Sequence, residues 1–203
     1  GPLNGIRVLD FSIIYAGPYA ASHLADLGAD VVKVERPSGD PFRHNRAVVP
    51  ENSKVFQYLN RGKRSIVINL HNEAGRALLS RIVPDYDVVL HNYRPGVPER
   101  LGIDYNTLSG LRPDLIYGEI SGFGDQGPRA EHPGSNIVAE AYGGAMAMGE
   151  KIDPDGAPMR TGVTMADLPT GIALAMGICA ALHHRDRTGE GQVVSCSLLR
   201  SVL

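Results

Sequence analysis

Short apolar runs recur along the chain, separated by stretches with a helical spacing of apolar positions. Ile6–Phe11 (IRVLDF), Val31–Glu35 (VVKVE), Ser65–Leu70 (SIVINL), Asp87–Leu90 (DVVL), Leu115–Ile120 (LIYGEI) and Gln192–Cys196 (QVVSC) each read as a strand. Such runs fit strands covered on both faces, as in a parallel sheet. Between them the pattern predicts a helix opened by Gly17-Pro18 and ended by Gly28. A second is capped by Asn72 (NEAGRALLSRIVPDY), and a short one lies near Tyr105–Leu111. Ser135–Met148 is a helix of small residues, in which Gly143 and Gly144 either allow close backbone approach or mark a break. SLLRSVL at the end begins another helix. Alternating strands and helices predict an α/β fold, a doubly wound, mostly parallel six-stranded sheet flanked by helices.

The sharpest boundary signals surround residues 160–192. A short extended lead-in ends at Ala166. Asp167 stands at the N-cap, Pro169 lies in the first turn, and an apolar run reaches about Leu182. His183, His184, Arg185 and Arg187 crowd the last turn, and Gly189 and Gly191 stop the helix. The near absence of a polar face before His183 predicts burial on most sides. Asp167 is then a carboxylate at the positive end of a buried helix. It is either a cap, or a nucleophile or base placed where amides and a helix dipole support charge.

Two long connections carry the remaining chemistry. Arg36 to Arg64 is polar and too long for a plain link. Its Arg36, Arg43, Arg46, Arg61, Lys63 and Arg64 form either a solvated surface or a clamp for a phosphorylated ligand. HNYRPGVPERLGI follows the fourth strand as a Pro/Gly-rich loop at the edge where open parallel sheets bind ligands. EKIDPDGAPMRTG reads as a loop returning to Asp167. The loop after the first strand, SIIYAGPYAAS, lacks the GxGxxG of nicotinamide-binding folds, so Glu35 is weak evidence for a ribose site and reads as a loop acid.

Composition narrows the class. At 203 residues, 43% hydrophobic and 21% charged, the chain is globular with a sizeable core. A net charge of −2 argues against nucleic-acid or membrane-surface partners. Two cysteines, Cys179 and Cys196, without CxxC, fit a reducing cytoplasm and suggest no metal site. No apolar run reaches membrane-spanning length and no signal peptide opens the chain.

Several strings, taken in order, carry a resemblance. They are LNGIRVLDFSIIYAGPYAASHLADLGADVVKVERPSGD, NRGKRSIVINL, HNYRPGVPERLGI, RPDLIYGEISGFGDQGP, ADLPTG and HHRDRTGEGQ. Together they resemble the family III CoA-transferases nearly end to end. Members are usually about twice this length, typical of more than one domain. The resemblance therefore implies that residues 1–203 are the Rossmann-like large domain, truncated at the C-terminus, with most of a second, smaller domain lying beyond Leu203. It also implies an interlocked homodimer in full-length relatives. The substrates would be an acyl-CoA and a small carboxylic acid, with coenzyme A entering as substrate rather than as a permanently bound cofactor. Carried over by motif, the nucleophile is Asp167. The CoA-binding positions are Tyr15, Ala16, Arg36, Ile68, His71, Asn92, Tyr93, Arg94, Arg100 and His132. Ile68 also reads as strand-end core, and His71 and His132 as surface histidines. The α-methylacyl-CoA racemases of the family carry His where Ser135 stands, and a hydroxyl is a poor base near neutral pH. That departure favours transfer over isomerisation. Formyl-CoA transferases carry Gln at the Tyr15 position, which argues against oxalate as acceptor. A third reading is a CoA-binding fragment that turns nothing over by itself.

Overall fold

All six apolar runs enter one sheet. The computed structural model describes residues 1–45, 47–49, 52–148, 156 and 162–203. The strands are β1 (Arg7–Asp10), β2 (Asp30–Glu35), β3 (Arg64–Val67), β4 (Val88–His91), β5 (Ile116–Ser121) and β6 (Gln192–Ser197). Their order is β3-β2-β1-β4-β5-β6, and every pair is parallel. This is the doubly wound order, in which the winding reverses between β1 and β4.

Period-two alternation divides the core in two. Val8, Val31, Val88, Leu90, Ile116 and Ile120 face α1 (Ala16–Asp26) and α8 (Asp167–Thr188). Leu9, Val32, Val34, Val89 and Tyr117 face the opposite layer, which includes α3 (Glu73–Ile82) and α5 (Tyr105–Ser109). Both faces are covered, which is why the strands read as continuous apolar runs.

Several local expectations need correction. The Arg36–Arg64 segment is not one loop. It holds a 3-10 turn at Pro41–Arg43, a short antiparallel pair (Ala47–Val49 with Asn52–Ser53) and α2 (Lys54–Leu59), capped by Ser53. The Pro/Gly-rich segment after β4 forms α4 (Val97–Leu101), with Pro98 in its first turn and left-handed Gly102 closing it. The small-residue helix breaks at Gly143 and Gly144, where Gly144 has φ +80, giving α6 (Asn136–Tyr142) and α7 (Ala145–Met148). After β6 the chain makes turns rather than a helix. Most of the EKIDPDGAPMRTG loop, and Arg46, lie outside the described residues.

α8 runs to Thr188 and ends at left-handed Gly189. Asp167 is its first residue, one position inside the N-cap, Ala166. The helix is not buried all round. Ile172 and Met176, one turn apart, are 51% and 69% exposed. Its inner face packs on α1 and on the sheet, helped by Gly171 and Gly177. An added methyl on Gly171 would lie 2.8 Å from the Ala16 carbonyl, and one on Gly177 would lie 2.6 Å from Val194. Near the other end, buried Arg185 donates to Asp87 at 3.2 Å. No described helix is long and apolar enough to cross a membrane.

Candidate active site

The crevice expected where winding reverses is present. A cavity of about 360 Å³ opens at the carboxyl ends of β1, β4 and β5. Tyr15 and Ala16 come from the loop after β1. Asn92, Tyr93 and Arg94 come from the loop after β4, His132 from the long loop after β5, and Asp167 from the start of α8. A neighbouring cavity of about 170 Å³ is lined by Arg36, Ile68 and His71, and Tyr93 belongs to both walls. The two cavities share the Tyr93 and Val97 wall. Arg100, in the last turn of α4, is exposed and lines neither.

Asp167 is half-buried, and its carboxyl accepts no hydrogen bond among the described residues. Burial, and secondarily the carboxylate of Glu140, push its pKa up to about 6. Low polarity and a like charge both disfavour ionisation. Glu140 is fully buried on α6. It accepts from the Met165 amide at 2.9 Å and from Asn136 Nδ2 at 2.7 Å. Asn136, one turn earlier on the same face, accepts through Oδ1 from Ala166 N–H (2.9 Å) and Asp167 N–H (3.2 Å). Leu168 N–H reaches Thr164 O at 3.4 Å, and residue 169 is Pro. The amides at the start of α8 are therefore already engaged, so they are not open donors for an oxyanion. Neither Asn136 nor Glu140 was singled out from sequence. The available signal was a lone acid in an Ala/Gly-rich helix.

The basic segment resolves into ion pairs. Arg43 binds Glu35 at 2.5 Å, Arg64 binds Asp30 at 2.6 Å, Lys63 binds Asp10 at 2.8 Å, and Arg61 pairs with Asp26. Glu35 also accepts from Ser65 and from Asp40 N–H. Burial pushes its carboxyl upward, but the bonds from Arg43 and Ser65 outweigh that and bring it down to about 2. Glu35 is a structural acid. Arg36 is exposed, donates only to Gly39 O at 3.1 Å, and has no carboxylate partner among the described residues.

Asn92 lines the cavity, but both ends of its amide are taken by backbone. Ile13 N–H donates to its Oδ1 at 2.8 Å, and its Nδ2 donates to Ile13 O at 2.7 Å. Ile68 is core, 4% exposed, and its amide extends the ladder to Glu35 O. His71 and His132 are exposed at the rims.

Across Tyr93 and Arg94 lies a further cavity of about 290 Å³, walled by Glu99, Glu119, Asp125 and Glu131. Burial lowers His91 in its wall to about 4. Tyr93 N–H donates to His91 Nδ1, so the neutral ring carries its proton on Nε2. Four carboxylates against one Arg make this side hostile to phosphate. The anionic end of an elongated ligand is better received towards Arg36.

Comparison with known proteins identifies the family. The chain is 42% identical over 212 residues to succinyl-CoA:mesaconate CoA-transferase of Haloarcula marismortui, covering all of this chain and 53% of that protein. It is 42% identical over 207 residues to succinate–glutarate CoA-transferase of Agrobacterium fabrum, covering 98% and 51%. Among solved structures, a CaiB/BaiF family protein from Brucella suis superposes with a TM-score of 0.92 at 40% identity, covering 99% of this chain and 54% of that one. The chain thus spans about half the length of the curated relatives it matches. The model of CoA-transferase family III matches residues 3–203, and with these relatives it establishes that the chain belongs to that family.

Proposed function

We propose that the whole protein moves CoA from an acyl-CoA thioester to a carboxylic acid, with Asp167 as the covalent nucleophile. The observation that carries this is the placement of Asp167. It is a half-buried carboxyl without hydrogen-bond donors among the described residues, on the wall of the switch-point cavity, with its pKa raised to about 6. A carboxyl so placed is mostly ionised at neutral pH, more basic than an ordinary Asp, and not tied up as a cap.

Two adjoining cavities on either side of Tyr93 and Val97 suit an elongated thioester laid across that wall. The thioester end sits against Asp167, the chain passes Tyr93, and the nucleotide end meets Arg36, Ile68 and His71. Tyr15, Ala16, Asn92, Arg94 and His132 form the walls around the acyl end. Arg100 serves only if the phosphates reach round α4. An Asp167 oxygen attacks the thioester carbonyl, giving an acyl–aspartyl anhydride and CoA thiolate. The thiolate attacks the aspartyl carbonyl, forming aspartyl-CoA and releasing the donor acid. The acceptor carboxylate then attacks aspartyl-CoA, regenerating an anhydride and thiolate. The thiolate takes the acceptor's acyl carbon and frees Asp167. An anhydride keeps each step near balance, where a Ser ester would be a trap. With the α8 amides engaged, oxyanion donors come from elsewhere around the cavity.

Residues 1–203 are proposed as the large domain, working as a homodimer in a reducing cytoplasm. The names of the two relatives above suggest succinyl-CoA as a donor and a short dicarboxylate as acceptor to try first. The test is the full-length protein assayed with succinyl-CoA and other donors against a panel of carboxylates, with mass spectrometry of Asp167. An aspartyl-CoA adduct is expected. An Asp167→Ala variant that keeps full transferase activity would end the proposal. Deuterium wash-in at Cα of a 2-methylacyl-CoA would indicate isomerisation instead.

A further inference from the structure

We propose that Asn92 is a positioning residue. Its side-chain amide clamps the Ser12–Tyr15 loop in a left-handed turn at Ile14 and so holds the cavity wall that faces Asp167. The proposal rests on the reading of that cavity as the acyl-CoA site.

Loops diverge where the winding reverses, so the backbone ladder alone cannot tie them. The last main-chain link between these two is Phe11 N–H to Leu90 O at 2.9 Å. Asn92 extends the ladder by one rung, exchanging two hydrogen bonds with Ile13 as a peptide unit would.

Around that rung the loop backbone has further buried side-chain partners. Ser12 N–H donates to Asp10 Oδ1 at 2.9 Å. Ser12 O accepts from Lys33 Nζ at 2.7 Å. Ile14 N–H donates to Asp40 Oδ2 at 3.3 Å, and Asp40 is paired to Lys33 at 3.0 Å. Asp10, Ser12, Lys33 and Asp40 are all essentially buried. Gly17 lets the first turn of α1 close onto this cluster, since an added methyl would lie 2.3 Å from Ser12 Cβ and 3.2 Å from Asn92 Cγ.

Ile14 reports the load. It has φ +71, and no other described non-glycine residue has positive φ. A β-branched residue avoids that region, and it persists only where the surroundings over-determine it. Its side chain is 41% exposed and lines the cavity. Released from Asn92, the loop has reason to turn Ile14 back to negative φ, and Tyr15 and Ala16 would move with it. A glycine at position 14 would remove that reason, because glycine accepts positive φ without strain.

The test is a double-mutant cycle in the full-length protein between Asn92→Ala and Ile14→Gly, read by kcat/KM for acyl-CoA and by hydrogen exchange at Ile13 and Ile14. Asn92→Ala is expected to lower kcat/KM at least tenfold and to speed exchange of the Ile13 amide. Adding Ile14→Gly is expected to recover at least threefold of that loss, while the same change in the native background gives no gain. A loss that is simply additive would overturn the clamp, as a direct Asn92–substrate contact would produce it. So would a fall in Tm with unchanged kcat/KM. If the native protein transfers no CoA, the functional reading fails, while the exchange measurement still decides the clamp.

Discussion

Asp10 and Asp167 are the same residue type, both withdrawn from water near the same sheet edge, and their surroundings drive them in opposite directions. Burial pushes Asp10 up, but Lys63 and Lys33 outweigh it, and its pKa ends below the usual value. Lys63 and Ser12 also donate hydrogen bonds to it. Asp167 has burial without compensation, and its charged neighbour is Glu140. The contrast separates a carboxylate used to hold loops from one left without donors among the described residues. Depth of burial does not explain the directions, since Asp10 is the deeper of the two. The sign of the neighbouring charge and the supply of donors do.

The comparison can be broken first at Asp167. Asp167→Ala is expected to abolish CoA transfer, a loss of 10³-fold or more on the order of other covalent nucleophile removals. The next largest effect is on the other side. Lys63→Ala leaves Asp10 charged and buried, which should destabilise the fold by about 3–5 kcal/mol in urea melts. Lys63 itself is drawn down to about 8 by burial, with Asp10 opposing.

Asp167→Asn sharpens the contrast in stability. The folded protein holds the Asp167 proton more tightly than the unfolded chain, with the pKa raised from 3.8 to about 6. Stability therefore falls as pH rises from about 4 through about 6. The Asn variant should melt higher than the native protein at pH 8 and no higher at pH 4. Glu35 has the opposite sign. Its pKa is lowered to about 2, so its contribution is present above about 4.5 and lost as pH falls towards 2.

Glu140→Gln tests the neighbour. Gln keeps an oxygen for Met165 N–H and Asn136 Nδ2 but removes the like charge. The Asp167 pKa should fall, and the acid limb of kcat/KM should move to lower pH. Arg94 and His132 line the same cavity and should be checked by the same profile. The smallest effect is expected at Arg61, whose pair with Asp26 is partly exposed. Arg61→Ala should cost no more than about 1 kcal/mol, and less in high salt.

How much was legible follows from the range of each signal. The six strands and the ends of α8 rest on local patterns, an apolar run or a Pro and Gly at set places, and these are found nearly where expected. α2 and α4 were missed because KVFQYL sits in a polar stretch and VPERL between glycines, where local signals point to loop. The fates of the cations were beyond reach for a different reason. Lys63 meets Asp10 across 53 residues and Arg61 meets Asp26 across 35, so only the folded sheet shows which are used up. Motif resemblance gathered Tyr15, Asn92, Tyr93, Arg94, His132 and Asp167 around one cavity, but it could not say that the Asn92 amide serves the backbone.

Arg185 lies 18 positions along α8 from Asp167, a span of about 27 Å at 1.5 Å per residue. It is moored to Asp87, which Arg112 also binds. α8 thus runs as a stiff rod from this mooring near its C-terminal end to Asp167 at its first residue. Slippage of a single residue at the mooring would displace the carboxylate by about 1.5 Å, enough to cost a reaction that depends on alignment. Substitutions at Asp87 or Arg112, on the far side of the molecule from the crevice, should therefore be felt as errors of aim.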